Sequence, residues 1–265
     1  MHHWWKSCYL LLVCLLTFTS TELFAEQQLL PKLRVVTESF PPYSFKNEQG
    51  KIDGAVTLVV QALLKKGGLP TDIEIMPWAR AYSTALVEPN VLIYSIVRIP
   101  EREALFYWLA PVTAINIGVY TMPNTKSAEL TDLTKLDHMT IGVMRGSSSI
   151  EFFKSFRNIE NKNLLEMASF NQLYKMLQYR RINFALAPEL LIKYLDMKYH
   201  TPVDLRPIPI YKLPLQQQST MYIGLSKKSS PAVVKRFQQA IAEMQQQGDI
   251  RTIVDQYKHT LTKTP

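Results

Sequence analysis

The chain has 265 residues, of which 47% are hydrophobic and 20% charged, with a formal charge of +8 and a sequence pI near 9.3. Lysines and arginines are scattered rather than gathered on one stripe, which argues against nucleic acid and leaves the charge either as general steering toward an anion or an envelope surface, or without a function. The two cysteines, Cys8 and Cys14, both fall in an N-terminal segment read below as an export signal, which excludes thiolate catalysis and disulfide stapling in the processed chain.

Met1 to Ala25 has a polar opening with Lys6, an apolar centre from Tyr9 to Phe18, and Leu23-Phe24-Ala25 before Glu26. This pattern reads as a secretory signal, since the apolar run falls short of the ~20 residues a spanning helix needs. Cys14 lies inside the apolar centre after the bulky Val13, so the signal reads as one for soluble export rather than for lipidation. The remainder exceeds the ~100–150 residues usual for one domain, which allows two lobes. No repeat or low-complexity segment interrupts it.

Leu33 to Val36 predicts a first strand, ended by Thr37-Glu38-Ser39-Phe40 and blocked by Pro41-Pro42. On the residues alone Phe40, Tyr43 and Phe45 fit packing in a core. Val56, Val59, Val60, Leu63 and Leu64 have helical spacing and stop at Gly67-Gly68. Ile73 to Met76 alternates as a strand, and Pro77-Trp78-Ala79-Arg80 opens the next helix with an aromatic and a cation in its first turn. Val91-Leu92-Ile93 is a short apolar run of the buried-strand kind, and it feeds into Ser95, Arg98 and Pro100-Glu101-Arg102. Pro100 suits the first position of a helical turn, which puts Arg102 where a cation opposes the helix dipole. Arg102 therefore either pairs with Glu101, Glu103 or Glu38 at the surface or faces an anion, and its fork suits a carboxylate.

Ile115 to Tyr120 alternates as one more strand, after which Met122-Pro123-Asn124 is expected to cross to a second lobe. Leu133 and Leu136 precede a strand at Thr140 to Val143. Arg145-Gly146-Ser147-Ser148-Ser149 and a helix through Phe152, Phe153 and Phe156 follow. Ser147 and Ser148 are either a plain N-cap or an anion-holding loop of amides and hydroxyls. Leu164-Leu165-Glu166 precedes a helix at Asn171 to Arg180, and Phe184 to Ala187 is a buried strand ending at Pro188 and Glu189. The proline-rich Thr201 to Leu215 reads as an extended return path with edge strands. Ser219 to Leu225 crosses back, and helices from Pro231 to Gln247 and from Gly248 onward close the chain.

Four segments resemble family 3 extracytoplasmic solute-binding proteins, the polar amino-acid receptors of ABC importers. ESFPPYSF followed by GKIDGAVTLVVQALLKKGG is similar to the family's opening, and SIVRIPER with Trp108 and Ala110-Pro111 to its serine–arginine segment. IGVMRGSSSIEFF and RRINFALAPELLIKYL resemble the two segments that follow. The order is the family's and spans nearly the whole processed chain. The resemblance implies an α/β fold of the two-lobed periplasmic-binding-protein type II, each lobe a mixed sheet flanked by helices, joined by two hinge strands. Residues 26–121 and 220–265 would form a discontinuous first lobe and 122–219 the second. It implies a soluble, monomeric periplasmic receptor for a small carboxylate-bearing solute, an amino acid or a related organic anion, without a cofactor. The partner would be an ABC permease or a membrane sensor. Arg102, Ser95, Glu38, Phe40, Tyr43, Trp78, Arg80, Arg98, Ser147, Ser148 and Glu189 are the expected ligand-binding residues.

Two departures from the family pattern bear on the ligand. Where these receptors place an aspartate for the ligand's ammonium group stands Pro188, with Glu189 one residue on. Val97 and Ile99 stand where hydroxyls are usual. Together with Arg80, Arg98 and Arg145 this favours a ligand with extra negative charge or one lacking the amine. The same fold also hosts periplasmic dehydratases, and fold does not fix function. His138, His200 and His259 show no metal or catalytic spacing and read as surface residues. An enzyme would have to use Glu38 or Glu189, so the expectation is a binding protein with no catalytic residue and no metal.

Overall fold

The computed structural model describes residues 32–69, 72–125, 139–154, 163–212 and 219–263. The expected export signal lies outside them, as do His138, Leu133, Leu136 and Phe156. Among the described residues no helix is long and apolar enough to cross a membrane.

The chain builds two five-stranded sheets, each mixed in direction. The first contains β1 (Arg34–Thr37), β4 (Ile73–Ile75), β5 (Val91–Val97), β6 (Phe106–Ile115) and β12 (Ser219–Ser226), in the order β4-β1-β5-β12-β6. β1 is parallel to both neighbours, whereas β12 is antiparallel to β5 and β6. β5 is buried along nearly its whole length, as a central strand covered on both faces must be. The second sheet runs β11-β7-β10-β8-β9, from β7 (Ile117–Thr121), β8 (Ile141–Met144), β9 (Leu164–Met167), β10 (Phe184–Pro188) and β11 (Ile208–Lys212). A short hairpin, β2 (Phe45–Lys46) with β3 (Ile52–Asp53), leads into the first helix.

Helices α1 (Ala55–Lys66), α2 (Trp78–Val87), α6 (Pro231–Gln247) and α7 (Asp249–Lys263) accompany the first sheet, and α3 (Ser148–Lys154), α4 (Phe170–Gln178) and α5 (Glu189–Lys198) the second. The apolar stripe of α1 is fully buried through Val56, Val59, Val60, Leu63 and Leu64. One core lies under α2, with Val36, Ala81, Ala85, Ile93, Ile96 and Phe106. A second core collects Val119, Ile141, Val143, Phe153, Phe184 and Leu186. Serine caps open two helices, Ser169 accepting from the Gln172 amide and Ser230 from the Val233 amide.

Three expectations are revised. The strand expected from Ile115 to Tyr120 is divided at Asn116, because β6 belongs to the first sheet and β7 to the second. The change of sheet therefore precedes Met122, and Ile117–Thr121 pairs with β10 and β11 rather than with the first sheet. Leu164 to Glu166, read only as a prelude to a helix, is strand β9, parallel to β8. Finally, α4 ends at Gln178 rather than Arg180, whose φ of 55° lies in the left-handed region.

Candidate functional site

The sheets meet at the ends of β1, β5 and β10, where a cavity is lined from both sides. Glu38, Phe40, Trp78, Ser95, Val97, Arg102 and Ile115 come from the first sheet and its connections. Ile117, Ser147, Ser148, Ser149, Phe170, Leu186, Ala187 and Pro188 come from the second. Its volume is about 50 Å³, room for a few waters.

The first wall is a small polar knot. The Thr37 hydroxyl donates to the Tyr94 carbonyl at 3.2 Å, and the Ser44 hydroxyl donates to the Glu38 carbonyl at 3.1 Å. Ser44 Oγ also lies 3.2 Å from Ser95 Oγ. Ser95 has a φ of 59° in the middle of β5, close to where the pairing with β12 shifts register. The tight turn from Phe40 to Ser44 is held by the Tyr43 and Ser44 amides, which donate to the Phe40 carbonyl at 2.8 and 3.0 Å. That turn brings Glu38 and Phe40 to the cavity.

Arg102 sits in a 3₁₀ helix, Pro100–Leu105, with Pro100 at its start. Only 5% of it is exposed. Its guanidinium donates to the Val97 carbonyl at 3.2 Å and, across the cavity, to the Gly146 carbonyl at 3.1 Å. The carbon of the fork lies 4.9 Å from the Tyr82 ring centre and 5.5 Å from that of Trp78. Burial pulls its pKa below the ordinary arginine value, yet an arginine remains a cation in a protein. Among the described residues it has no carboxylate in ion-pair contact.

Glu38 is the acidic side chain of the cavity. It is 7% exposed, and loss of hydration pushes its carboxyl up to about 8, with the Arg102 charge opposing the shift. Among the described residues its carboxyl has no hydrogen-bond partner.

The facing wall closes against these groups. Met144 to Ser147 forms a turn with Gly146 at φ 68°, and the Gly146 carbonyl accepts a second hydrogen bond, from the Trp78 indole at 3.0 Å. Phe170, the first residue of α4, stacks on Phe40 with ring centres 4.7 Å apart. The Ser147 hydroxyl accepts from the Ser149 amide at 3.3 Å, capping the seven-residue α3.

Of the residues expected at the site, the structure gathers Arg102, Ser95, Glu38, Phe40, Trp78, Ser147 and Ser148 around one cavity. Four others lie off its lining. Tyr43 is buried behind Phe40, edge-on at 5.3 Å. Arg80 is on the exposed side of α2. Arg98 folds back on the 3₁₀ helix, forming a two-pronged contact with Glu103 and covering the rings of Trp108 and Tyr222. Glu189 starts α5, where its carboxylate accepts from Lys193 at 2.7 Å, one helical turn away. Trp108, part of the same family-like segment, lies off the lining and donates its indole N–H to the Glu103 carbonyl at 3.1 Å. Arg145 likewise is exposed and faces Glu166 at 3.5 Å.

Sequence reasoning missed Phe170, Ile115, Ile117 and Leu186 in the lining. A signal for Phe170 existed. Like Trp78 it is an aromatic at the first position of a helix, where the side chain reaches back toward the ends of the strands. Among the described residues no group of three or more His, Cys, Asp or Glu could hold a metal ion.

Two mixed sheets whose facing ends line one cavity with a buried arginine form the two-lobed fold of periplasmic binding proteins. The family model for bacterial extracellular solute-binding proteins, family 3, matches residues 33–260, and the chain belongs to that family. Among solved structures, a histidine kinase sensor domain with similarity to periplasmic binding proteins superposes with a TM-score of 0.73 at 14% identity, covering 85% of this chain and 96% of that one. An ancestral arginine-binding protein bound to arginine gives 0.70 at 18% identity, covering 85% and 97%. The arginine-, lysine-, histidine-binding protein ArtJ of Geobacillus stearothermophilus gives 0.69 at 14%, covering 85% and 95%. At these identities the likeness is one of fold. Among curated protein sequences none matches the chain.

Proposed function

We propose that the protein is a periplasmic receptor that binds a small carboxylate-bearing solute between its two sheets, with Arg102 as the anchor, and hands it to an ABC importer. The observation that carries this reading is the buried Arg102 guanidinium at the cavity, partnered by backbone carbonyls and aromatic faces but by no carboxylate among the described residues. A cation so placed is matched best by a ligand anion that displaces a neutral acceptor such as the Gly146 carbonyl. Membership of a solute-binding family and resemblance to amino-acid-binding folds support the reading. The likeness to a sensor domain keeps a membrane sensor as the alternative partner. The protein binds without turnover in this reading, since among the described residues Glu38 has no second acid, base or nucleophile beside it except the hydroxyls of Ser95 and the serine turn.

Removing one partner of a buried charge pair costs ~2–5 kcal/mol. Arg102→Ala is therefore expected to weaken a cognate carboxylate by about thirtyfold or more. Calorimetry on a variant with unchanged circular dichroism checks this. An unchanged affinity removes Arg102 from the site.

A further inference from the structure

The cavity is unevenly furnished. Its side chains carry one cation, Arg102, and one acid, Glu38, and the rest of the lining is aromatic, aliphatic or hydroxyl. The strand end of β10 contributes Leu186, Ala187 and Pro188, none of which has a side-chain acceptor. The nearest acid beyond it, Glu189, is engaged by Lys193 and lies off the lining. Arg80, Arg98 and Arg145 are also off the lining, which withdraws the support they gave to a second ligand charge.

We propose, on the basis of the receptor reading above, that the cleft selects monocarboxylates with a small apolar body and no ammonium group, Arg102 holding the carboxylate and the Glu38 carboxyl donating a hydrogen bond to the ligand. An unpartnered Glu38 more than nine-tenths buried and facing the cavity is the second observation behind this assignment. Its carboxyl is not among the fully enclosed side-chain groups without a partner, so it is open to the cavity, where as a neutral acid it can donate to a ligand oxygen in place of water. Phe40, Phe170, Trp78, Ile117 and Leu186 then enclose the ligand's body. An ammonium in the same place would have to ionise Glu38 first, against its burial, and would be held beside the Arg102 cation. Arg102 is the charged group among the described residues that acts on Glu38. The other polar neighbours in the lining, Ser95 and the serines at 147–149, are neutral.

The test is calorimetry of the full chain with two matched pairs, 4-methylpentanoate against L-leucine and 3-phenylpropanoate against L-phenylalanine, with succinate and the two methyl esters of the acids alongside. The expected result is that at least one deaminated acid binds about tenfold or more tightly than its amino acid at pH 7 without releasing a proton. Its affinity should then fall as pH rises through about 8, where Glu38 stops donating. Glu38→Gln, whose amide donates at every pH, should lose that alkaline decline, which a purely structural role would not alter. Tighter binding of both amino acids than of their deaminated acids, tighter binding of succinate, or binding of none of the four overturns the inference and leaves the carboxylate receptor standing. Methyl esters that bind as well as the acids overturn both.

Discussion

Glu38 couples the site to stability. In the unfolded chain its carboxyl ionises near 4.5, and in the folded protein near 8. Between those values the folded protein keeps a proton that the unfolded chain has released. Stability is accordingly greatest, for this group, below the lower value, falls as pH rises between them, and levels off above the higher one. At pH 7 the loss is about 3 kcal/mol relative to pH 4, from roughly 1.4 kcal/mol per unit. Glu38→Gln removes the titration, so the variant is expected to gain on the wild type steadily from pH 5 to pH 8 in urea unfolding. A difference between the two that stays constant over that range means the carboxyl titrates like an exposed one, and the desolvation argument fails. A group that destabilises the fold at neutral pH is what a binding site, rather than a core, tolerates.

The turn that carries Glu38 and Phe40 is pinned by α1. The Ala55 amide donates to the Pro42 carbonyl at 3.1 Å, and those of Val56 and Thr57 donate to the Tyr43 carbonyl at 3.0 and 3.2 Å. Gly54 makes the approach possible, with φ 123° and an added Cβ only 2.4 Å from the carbonyl carbon and oxygen of Tyr43. Gly54→Ala meets backbone that cannot yield, so a loss of about 3 kcal/mol or more is expected in urea unfolding. At Gly142 the added Cβ would lie 2.5 Å from the ends of the Ile182 and Leu173 side chains, which can rotate away. Gly142→Ala should cost only about 1–3 kcal/mol. The reverse ranking would show that the Pro42–Tyr43 segment moves freely and does not fix the site. At this scale much was legible in the sequence. Val91–Ile93 and Phe184–Ala187 announce themselves as buried strands because a strand covered on both faces needs unbroken apolar residues. Strand ends followed by helix starts located Glu38, Trp78 and Arg102. The break at Asn116 was not legible, since Ile115, Ile117 and Val119 continue one alternation through two strands of different sheets. Nor could spacing tell Arg98 from Arg102. Both flank Pro100, but only the fold shows that one turns back to Glu103 and the other inward.

Across the whole molecule the chain passes from the first sheet to the second at Asn116 and returns between Lys212 and Ser219, so the two halves face each other across few covalent links. What holds their facing ends together is small. Among the described residues, the Gly146 carbonyl takes hydrogen bonds from Trp78 and Arg102, Phe40 stacks on Phe170, and Phe45 meets the Tyr194 ring edge-on at 5.3 Å. An aromatic pair of this kind contributes ~0.5–1.5 kcal/mol beyond its area, enough to change the ratio of closed to open molecules by up to about tenfold. Phe170→Ala keeps both hydrogen bonds and removes the stack. Trp78, 4% exposed, then reports the outcome. In a Trp108→Phe background and with the N-terminal segment removed, Trp78 is the single tryptophan, and acrylamide should quench its emission several-fold more strongly once Phe170→Ala is added. Its emission should also move to the red as the indole meets water. A bound carboxylate, adding contacts that exist only when the walls meet, is expected to reverse both changes. Equal quenching with and without the Phe170 ring would show that the Gly146 carbonyl and the Phe45–Tyr194 ring contact suffice to keep the halves together. The stack would then be a lining of the cavity and not its latch.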